Sequence, residues 1–420
     1  MNSLESKVKL AAIRAEIPVY GGYVIGRDGK VIFIKGAVPG EIVEVTVVER
    51  KKDYSISYVT NVLEPSPFRR EPPCSIFGIC GGCHFQFIGY EKQTSIKEEI
   101  ILDTMRRIGG VDILLEPSMT GNEFGYRHRA NFKVSAEGNI GFYRDGTRDV
   151  VPVEKCLLMN EKINDVLQSL RDIDLRGIKD IQVISGDTVV ILIKGDISER
   201  TIQYIMDRGI SGIAFENGDS IGKDYITLDL NGLKYTVTPW SFFQSNWALN
   251  RVMVDAVIKR LAPLDDKKVL DLYAGSGNFS LPVALSAEEV VSVEENYYAV
   301  EDGRRNASLN GIKNCIFINA SVEGISKGEK KQKAEKFFSD ATYDIVVLDP
   351  PRRGLTSDSF DKLMELAPKK IAYLSCNPPT LARDIKKMKE RYETESLCMI
   401  DFFPNTYHIE ALAFLNLKGL

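Results

Sequence analysis

The stretch Val269-Leu270-Asp271-Leu272-Tyr273-Ala274-Gly275-Ser276-Gly277-Asn278-Phe279 decides the fold. An apolar run ends in a glycine turn and passes into a helical pattern, the strand, turn, helix order that opens a nucleotide-binding α/β unit. Toward the C-terminus, apolar runs at Val290 to Glu294, Cys315 to Asn319, Tyr343 to Leu348 and Ile371 to Leu374 alternate with helical stretches. Strands this apolar are buried on both faces, so the chain after Trp240 predicts a doubly wound parallel sheet. A lysine-rich piece, Lys327 to Lys336, falls between two of these strands and predicts a solvated loop.

Open parallel sheets bind ligands in the crevice beyond the carboxyl ends of their strands. The glycine turn lets the backbone approach a ligand closely, and the next strand ends in Glu294, placed to accept hydrogen bonds from ribose hydroxyls. The third glycine of a dinucleotide G-x-G-x-x-G is missing, with Ser280 in its place. Without a pyrophosphate to cradle, S-adenosylmethionine suits the turn better than a dinucleotide. Val346-Val347-Leu348-Asp349-Pro350-Pro351-Arg352 ends the fourth strand. Amino-group methyltransferases follow an Asp-Pro-Pro here with an aromatic residue that stacks on the target base; Arg352 in that position counts against exocyclic-amine chemistry. Tyr373-Leu374-Ser375-Cys376-Asn377-Pro378-Pro379 then delivers one cysteine past a strand end, into a turn too rich in proline to continue as regular structure. A lone cysteine is commonly a small buried hydrophobe; at this position it is also placed to meet a substrate.

Working back toward the N-terminus, Val19 to Val62 alternates as a small β module. An Arg27-Asp28-Gly29 turn separates two short strands, and Gly36-Ala37-Val38-Pro39-Gly40 leads into the alternating Glu41 to Val47. This predicts a small barrel or closed sheet. Residues 1 to 70 carry eleven Lys or Arg against eight Asp or Glu, a surplus of three that suits RNA and a solvated barrel surface equally. Prolines at Pro65, Pro67, Pro72 and Pro73 mark a linker. Cys74, Cys80 and Cys83 follow, separated by glycines that allow a tight wrap, with Cys156 the nearest fourth thiol in sequence. The spacing is not that of a zinc ribbon; four thiolates suit zinc or an iron-sulfur cluster. From Glu91 to Ile108, Ile96, Ile100, Thr104 and Ile108 recur every four positions and predict a helix packed on a sheet. Arginines alternate with aromatics over Tyr126 to Lys133 and Gly141 to Arg144, which suits RNA contact or an edge strand guarded by charge.

Composition sets outer limits. A chain of 420 residues, 44% hydrophobic and 27% charged, is ordinary for two or three globular domains. No apolar run is long enough for a spanning helix, and Met1 to Lys7 lacks a signal-peptide pattern, so a cytoplasmic protein without a membrane partner is expected. Seven cysteines without a secretion signal point to metal binding, catalysis or burial rather than a disulfide framework.

With these motifs in place the chain resembles the RNA 5-methyluridine methyltransferase family. Tyr373 to Pro378 is similar to its nucleophile motif, Asp401-Phe402-Phe403-Pro404-Asn405-Thr406-Tyr407-His408-Ile409-Glu410 to the segment carrying its general base, and Phe242-Phe243-Gln244-Ser245-Asn246 to its F-F-Q-x-N cofactor element. The resemblance implies a TRAM or OB-like barrel over residues 1–68, binding RNA. It implies a central α+β domain over 69–238 with RNA-binding strands and an iron-sulfur site, and a Rossmann-like methyltransferase domain over 239–420. The helix 91–108 is expected to pack on that last domain. Carried over residue by residue, Cys376 is the nucleophile and Glu410 the base. Gln244, Tyr273, Asn278, Glu294 and Asp349 hold S-adenosylmethionine. Cys74, Cys80, Cys83 and Cys156 are similar to the ligands of a 4Fe-4S cluster in the subgroup that methylates 23S ribosomal RNA, with transfer RNA the alternative substrate, and a monomer is expected.

The chemistry is consistent with that resemblance. Carbon 5 of uridine becomes nucleophilic once a thiolate adds at carbon 6, and a base must later remove the carbon 5 proton so that the thiol can leave. A non-catalytic RNA-binding protein would have no need of both Cys376 and Glu410. A radical S-adenosylmethionine enzyme would use C-x-x-x-C-x-x-C, whereas five residues separate Cys74 from Cys80.

Overall fold

The computed structural model describes residues 9–323 and 342–419. The Met1 to Lys7 start and the Lys327 to Lys336 piece lie outside the described residues. The sheet that organises the molecule has eight strands in the order Cys315–Asn319, Glu289–Glu294, Lys268–Leu272, Ile345–Leu348, Lys370–Ser375, Glu410–Leu417, Tyr392–Ile400, Leu115–Met119. The first five are mutually parallel, as expected of a doubly wound fold. Glu410–Leu417 runs antiparallel between its two neighbours. Val269, Leu270, Val290, Val291 and Val346 are fully buried, and one apolar cluster covers each face. One contains helices Tyr90–Thr104 and Pro378–Met388; the other contains helix Trp247–Leu261 and the hairpin of Ile226–Leu230 with Leu233–Val237.

Two elements early in the chain thus belong physically to this late sheet. The edge strand Leu115–Met119 gives a weak sequence signal because it is half-buried and contains Pro117, which an edge tolerates. The helix buries Ile96, Ile100 and Thr104 as its spacing predicts, but Ile108 is 39% exposed. After Thr104 the helix widens into a π turn, Met105–Gly109, which breaks the four-residue phase before Gly110 ends it in a left-handed conformation.

The N-terminal module is a six-stranded sheet whose two edge strands, Lys9–Arg14 and Ile17–Val19, are halves of one bent strand. Backbone bonds from Ala15 to Glu41 and from Glu16 to Ile25 bridge the bend on both sides, so the sheet closes into a barrel around Val24, Ile32, Ile34, Val43 and Val45. A seven-stranded central sheet holds Arg129–Val134 in its interior, between Ile140–Tyr143 and Ile178–Ser185. This corrects the edge-strand reading. Tyr126 and Phe132 are buried and unable to stack on bases, while Arg129 donates to the Ser241 carbonyl and the Gln182 side chain. Tyr143 and Arg144 remain exposed.

Candidate active site

Strand pairing brings two of the expected site residues together. Ser375 is opposite Ala411 in the antiparallel ladder, so one position further on Cys376 comes opposite Glu410, just where Lys370–Ser375 ends and Glu410–Leu417 begins. Residues opposite each other in such a ladder are close enough to interact directly. Glu410 is 6% exposed and its carboxyl is held well above the usual range, first by burial and then by the nearby charge of Asp349. The Cys376 thiol is pushed up to about 12 by burial and by the charges of Glu410 and Asp349, with Arg352 pulling the other way. Arg352 is exposed and also touches the His408 ring, 3.3 Å from Nδ1. Among the described residues it is the cation that acts on Cys376, Glu410 and His408 together. Sequence reasoning noticed Arg352 only as the residue in an aromatic's place.

The cofactor candidates line the same crevice. Tyr273, directly after its strand, adopts φ 63°, a conformation that a bulky side chain seldom takes and that often marks a functional turn. Its hydroxyl donates to Glu323, which Arg353 also reaches. Gly275 is left-handed as well, and a Cβ there would meet nothing within 4 Å, so the turn faces open space. Glu294 accepts from the Gly275 and Asn296 amides at 3.0 and 2.7 Å, bracing the turn. Asn278 and Asn250 exchange side-chain hydrogen bonds at 2.7 and 3.0 Å, tying the turn to helix Trp247–Leu261. The Gln244 side-chain amide lies near the Asp349 carboxyl and favours its ionised form. Burial and the charges of Asp271 and Glu294 raise Asp349 to about 7; burial likewise raises Asp271 to about 7. Asp271 accepts from Ser280, so the serine replacing the third glycine serves a buried carboxyl. A desolvated cluster of carboxylates suits a ligand that brings positive charge, and the sulfonium and amino groups of S-adenosylmethionine fit that requirement.

Cys156 joins Cys74, Cys80 and Cys83 from 73 positions beyond the last of them. Cys74, Cys80, Cys83 and Cys156 all line one cavity of about 250 Å³, with Gln86 and Arg127 in its wall. The Cys80 strand fragment bridges to Arg144, and the Cys156 amide donates to Asn164 at 2.9 Å. Burial raises the Cys80, Cys83 and Cys156 thiols, Cys83 to about 12, while the nearby N–H groups of Gly82, Gln86, Leu158 and Met159 oppose it. Thiols crowded together, desolvated, yet supplied with N–H donors fit ligation to a cationic centre. Among the described residues no group of three or more His, Cys, Asp or Glu closes tightly enough for a single ion.

No described helix is long and apolar enough to cross a membrane. A family model described as tRNA (uracil-5-)-methyltransferase matches residues 206–418. An uncharacterized RNA methyltransferase of Aquifex aeolicus is 36% identical over 98% of the chain and 100% of its own length. The 23S rRNA (uracil(1939)-C(5))-methyltransferase RlmD of Vibrio parahaemolyticus is 34% identical over 91% of this chain and 90% of its own. Among solved structures, Pyrococcus abyssi tRNA (uracil-54, C5)-methyltransferase in complex with S-adenosyl-L-homocysteine covers 97% of this chain and 100% of its own, with a TM-score of 0.73 and 23% identity. At that identity the likeness concerns the fold.

Proposed function

The chain belongs to the tRNA (uracil-5-)-methyltransferase family, and on that premise we propose that it methylates carbon 5 of a uridine in 23S ribosomal RNA through a covalent bond to Cys376. It is an RNA uracil-C5 methyltransferase that uses S-adenosylmethionine. The observation that carries the mechanism is the register that sets Cys376 opposite Glu410, with Arg352 acting on both.

The Cys376 thiolate adds to carbon 6 of the uracil, and the ring's electron pair moves toward the carbonyl at position 4. Burial and two carboxylates oppose ionisation of the thiol, while the Arg352 charge and, after it, the Cys376 backbone N–H favour the thiolate. S-adenosylmethionine, held by Gln244, Tyr273, Asn278, Glu294 and Asp349, supplies an electrophilic methyl group when bound. Ionised Glu410 then takes the proton from carbon 5, the ring double bond re-forms and the Cys376 sulfur leaves as thiolate. The target base must leave its stack, which favours loops over duplex. Phe242, 60% exposed and two residues from Gln244, offers a ring face for it.

The RNA assignment is supported by the 23S rRNA activity named for the Vibrio relative over nearly full length. The transfer RNA activity named for the Pyrococcus neighbour gives the second reading. We also propose that Cys74, Cys80, Cys83 and Cys156 hold a 4Fe-4S cluster, because all four thiols line one cavity and four thiolates are the ligand set of such a centre. The deciding measurement is mass mapping of 5-methyluridine in ribosomal and transfer RNA from cells with and without this protein. Loss of one 23S rRNA site is expected. Loss confined to transfer RNA would replace the substrate assignment, and no lost site in either would overturn the function.

A further inference from the structure

The first hairpin of the N-terminal barrel ends in Tyr20-Gly21-Gly22, between strands Ile17–Val19 and Tyr23–Asp28. Its tip does not point into solvent. The Tyr20 hydroxyl donates to the backbone carbonyl of Cys376 at 3.3 Å, across 356 positions of chain. The Tyr20 ring meets Tyr407 edge to face at 6.2 Å, and Tyr407 lies three residues before Glu410. Gly22 is left-handed, and a Cβ on it would come within 3.2 Å of the Tyr407 Cβ, so the approach is as close as the backbone allows. Tyr20 also packs against the apolar cluster of the catalytic sheet, together with Val38 from the same module. The charges of Arg352, Cys376, Tyr407 and Glu410 all register at its hydroxyl.

We propose that Tyr20 is a positioning residue of the methyl-transfer site, through which the docked N-terminal barrel fixes the Cys376 turn for attack on the base. This rests on the reading of Cys376 as nucleophile. The turn needs such a hold. Pro378 and Pro379 have no N–H to donate and Asn377 has no side-chain cap bond; the local bonds run between Ser375 and Asn377, on either side of Cys376, and the Cys376 carbonyl itself is held by Tyr20. Asn377 does donate to the Arg352 carbonyl, which holds the turn on one side; Tyr20 holds it on the other. A nucleophile displaced by a fraction of an ångström adds to carbon 6 more slowly, although RNA and cofactor still bind.

The test uses the full-length protein with Tyr20→Phe, which keeps the ring and removes one donor. Single-turnover methylation is expected to fall by about three- to tenfold, the range of one ordinary hydrogen bond. Affinities for RNA and S-adenosylmethionine and the melting temperature stay at wild-type values. A second variant, Tyr20→Ala, removes the ring together with the hydroxyl and frees the Cys376 turn on that side. Iodoacetamide labelling of Cys376, followed by peptide mass mapping, should become faster at neutral pH while methylation becomes slower. Tyr20→Phe at the wild-type rate, or a loss that appears wholly as weaker RNA binding, overturns the proposal. Cys376→Ala is measured alongside: if it retains activity, the nucleophile reading itself fails, whereas an inactive Cys376→Ala beside a fully active Tyr20→Phe removes only Tyr20.

Discussion

Burial acts on Glu410 in two opposed ways. It disfavours the ionised carboxyl, and it makes the carboxylate a stronger base once the proton has gone. A neutral Glu410 beside a neutral Cys376 also avoids two like charges in one desolvated crevice. If Glu410 acts only after methyl transfer, Glu410→Gln blocks proton removal and leaves addition intact. A protein-RNA species carrying labelled methyl groups should then accumulate, survive denaturing electrophoresis, and be absent from the double variant with Cys376→Ala. Normal turnover without a trapped species would assign the base elsewhere. Asp349 gives a second expectation at this scale. With its carboxyl raised to about 7, the site is protonated below that pH and anionic above it. A cationic cofactor therefore binds more tightly as pH rises, and calorimetric affinity for S-adenosylmethionine should improve severalfold from pH 6 to pH 8, with a flatter profile in Asp349→Asn. An affinity that weakens over this range would contradict the electrostatic reading. The candidate nucleophile Cys376, the candidate base Glu410 and the glycine turn stood out because each sits in a short contiguous motif. Arg352 and Ser280 stood in those motifs as departures whose uses, a cation beside the thiol and a donor to Asp271, depend on neighbours from other strands. Tyr20 had no signal at all, since its partner lies 356 positions away.

The segment 401–408 connects two strands of the catalytic sheet and carries Tyr407 and His408 toward the base, yet it is held mainly by elements from outside that sheet. Gln93 of helix Tyr90–Thr104 accepts from the Asn405 amide at 2.8 Å, and Lys97 of the same helix donates to the Phe403 carbonyl at 3.1 Å. The Tyr126 hydroxyl donates to Pro404, and the His84 and Phe85 amides donate to the Asn405 carbonyl. Beneath it Lys97 and Asp401 form an ion pair at 2.7 Å with both side chains fully buried. Burial lowers the Lys97 ammonium and Asp401 supports it, so removing one partner strands a charge in the core. Lys97→Met is expected to lower unfolding stability by about 3–5 kcal/mol in urea titration. Lys97→Met with Asp401→Leu should recover much of that loss. A single variant within about 1 kcal/mol of wild type would show that Asp401 finds water or another partner. Sequence periodicity placed the helix and gave its buried face, but Lys97 and Gln93 looked like ordinary polar helix positions. Their partners are set by a strand order in which residues 401–410 pass between the barrel, the cysteine loop and the sheet.

Across the whole molecule, the cysteine loop and Glu410 are joined by a short path. Cys83 is followed directly by His84 and Phe85, whose amides hold Asn405, five residues before Glu410. The cofactor crevice depends on different supports: the strand ends at Tyr273, Glu294 and Asp349, and the Asn250 to Asn278 tie. The two sites are therefore separable. Anaerobically purified protein should contain iron and sulfide, and stoichiometric zinc without iron would refute the cluster assignment. In Cys83→Ser, a loosened loop should slow single-turnover methylation and weaken RNA binding, while calorimetric affinity for S-adenosylmethionine stays within about twofold, since loss of one buried thiol leaves both apolar clusters of the sheet intact. Hydrogen exchange gives an independent reading, because amides of residues 84, 85 and 405–408 should lose protection in the variant and those of strand Lys268–Leu272 should not. If cofactor affinity fell in step with methylation, or protection were lost evenly across the sheet, the cysteine site would be a support of the entire fold rather than of the path from Cys83 to Glu410.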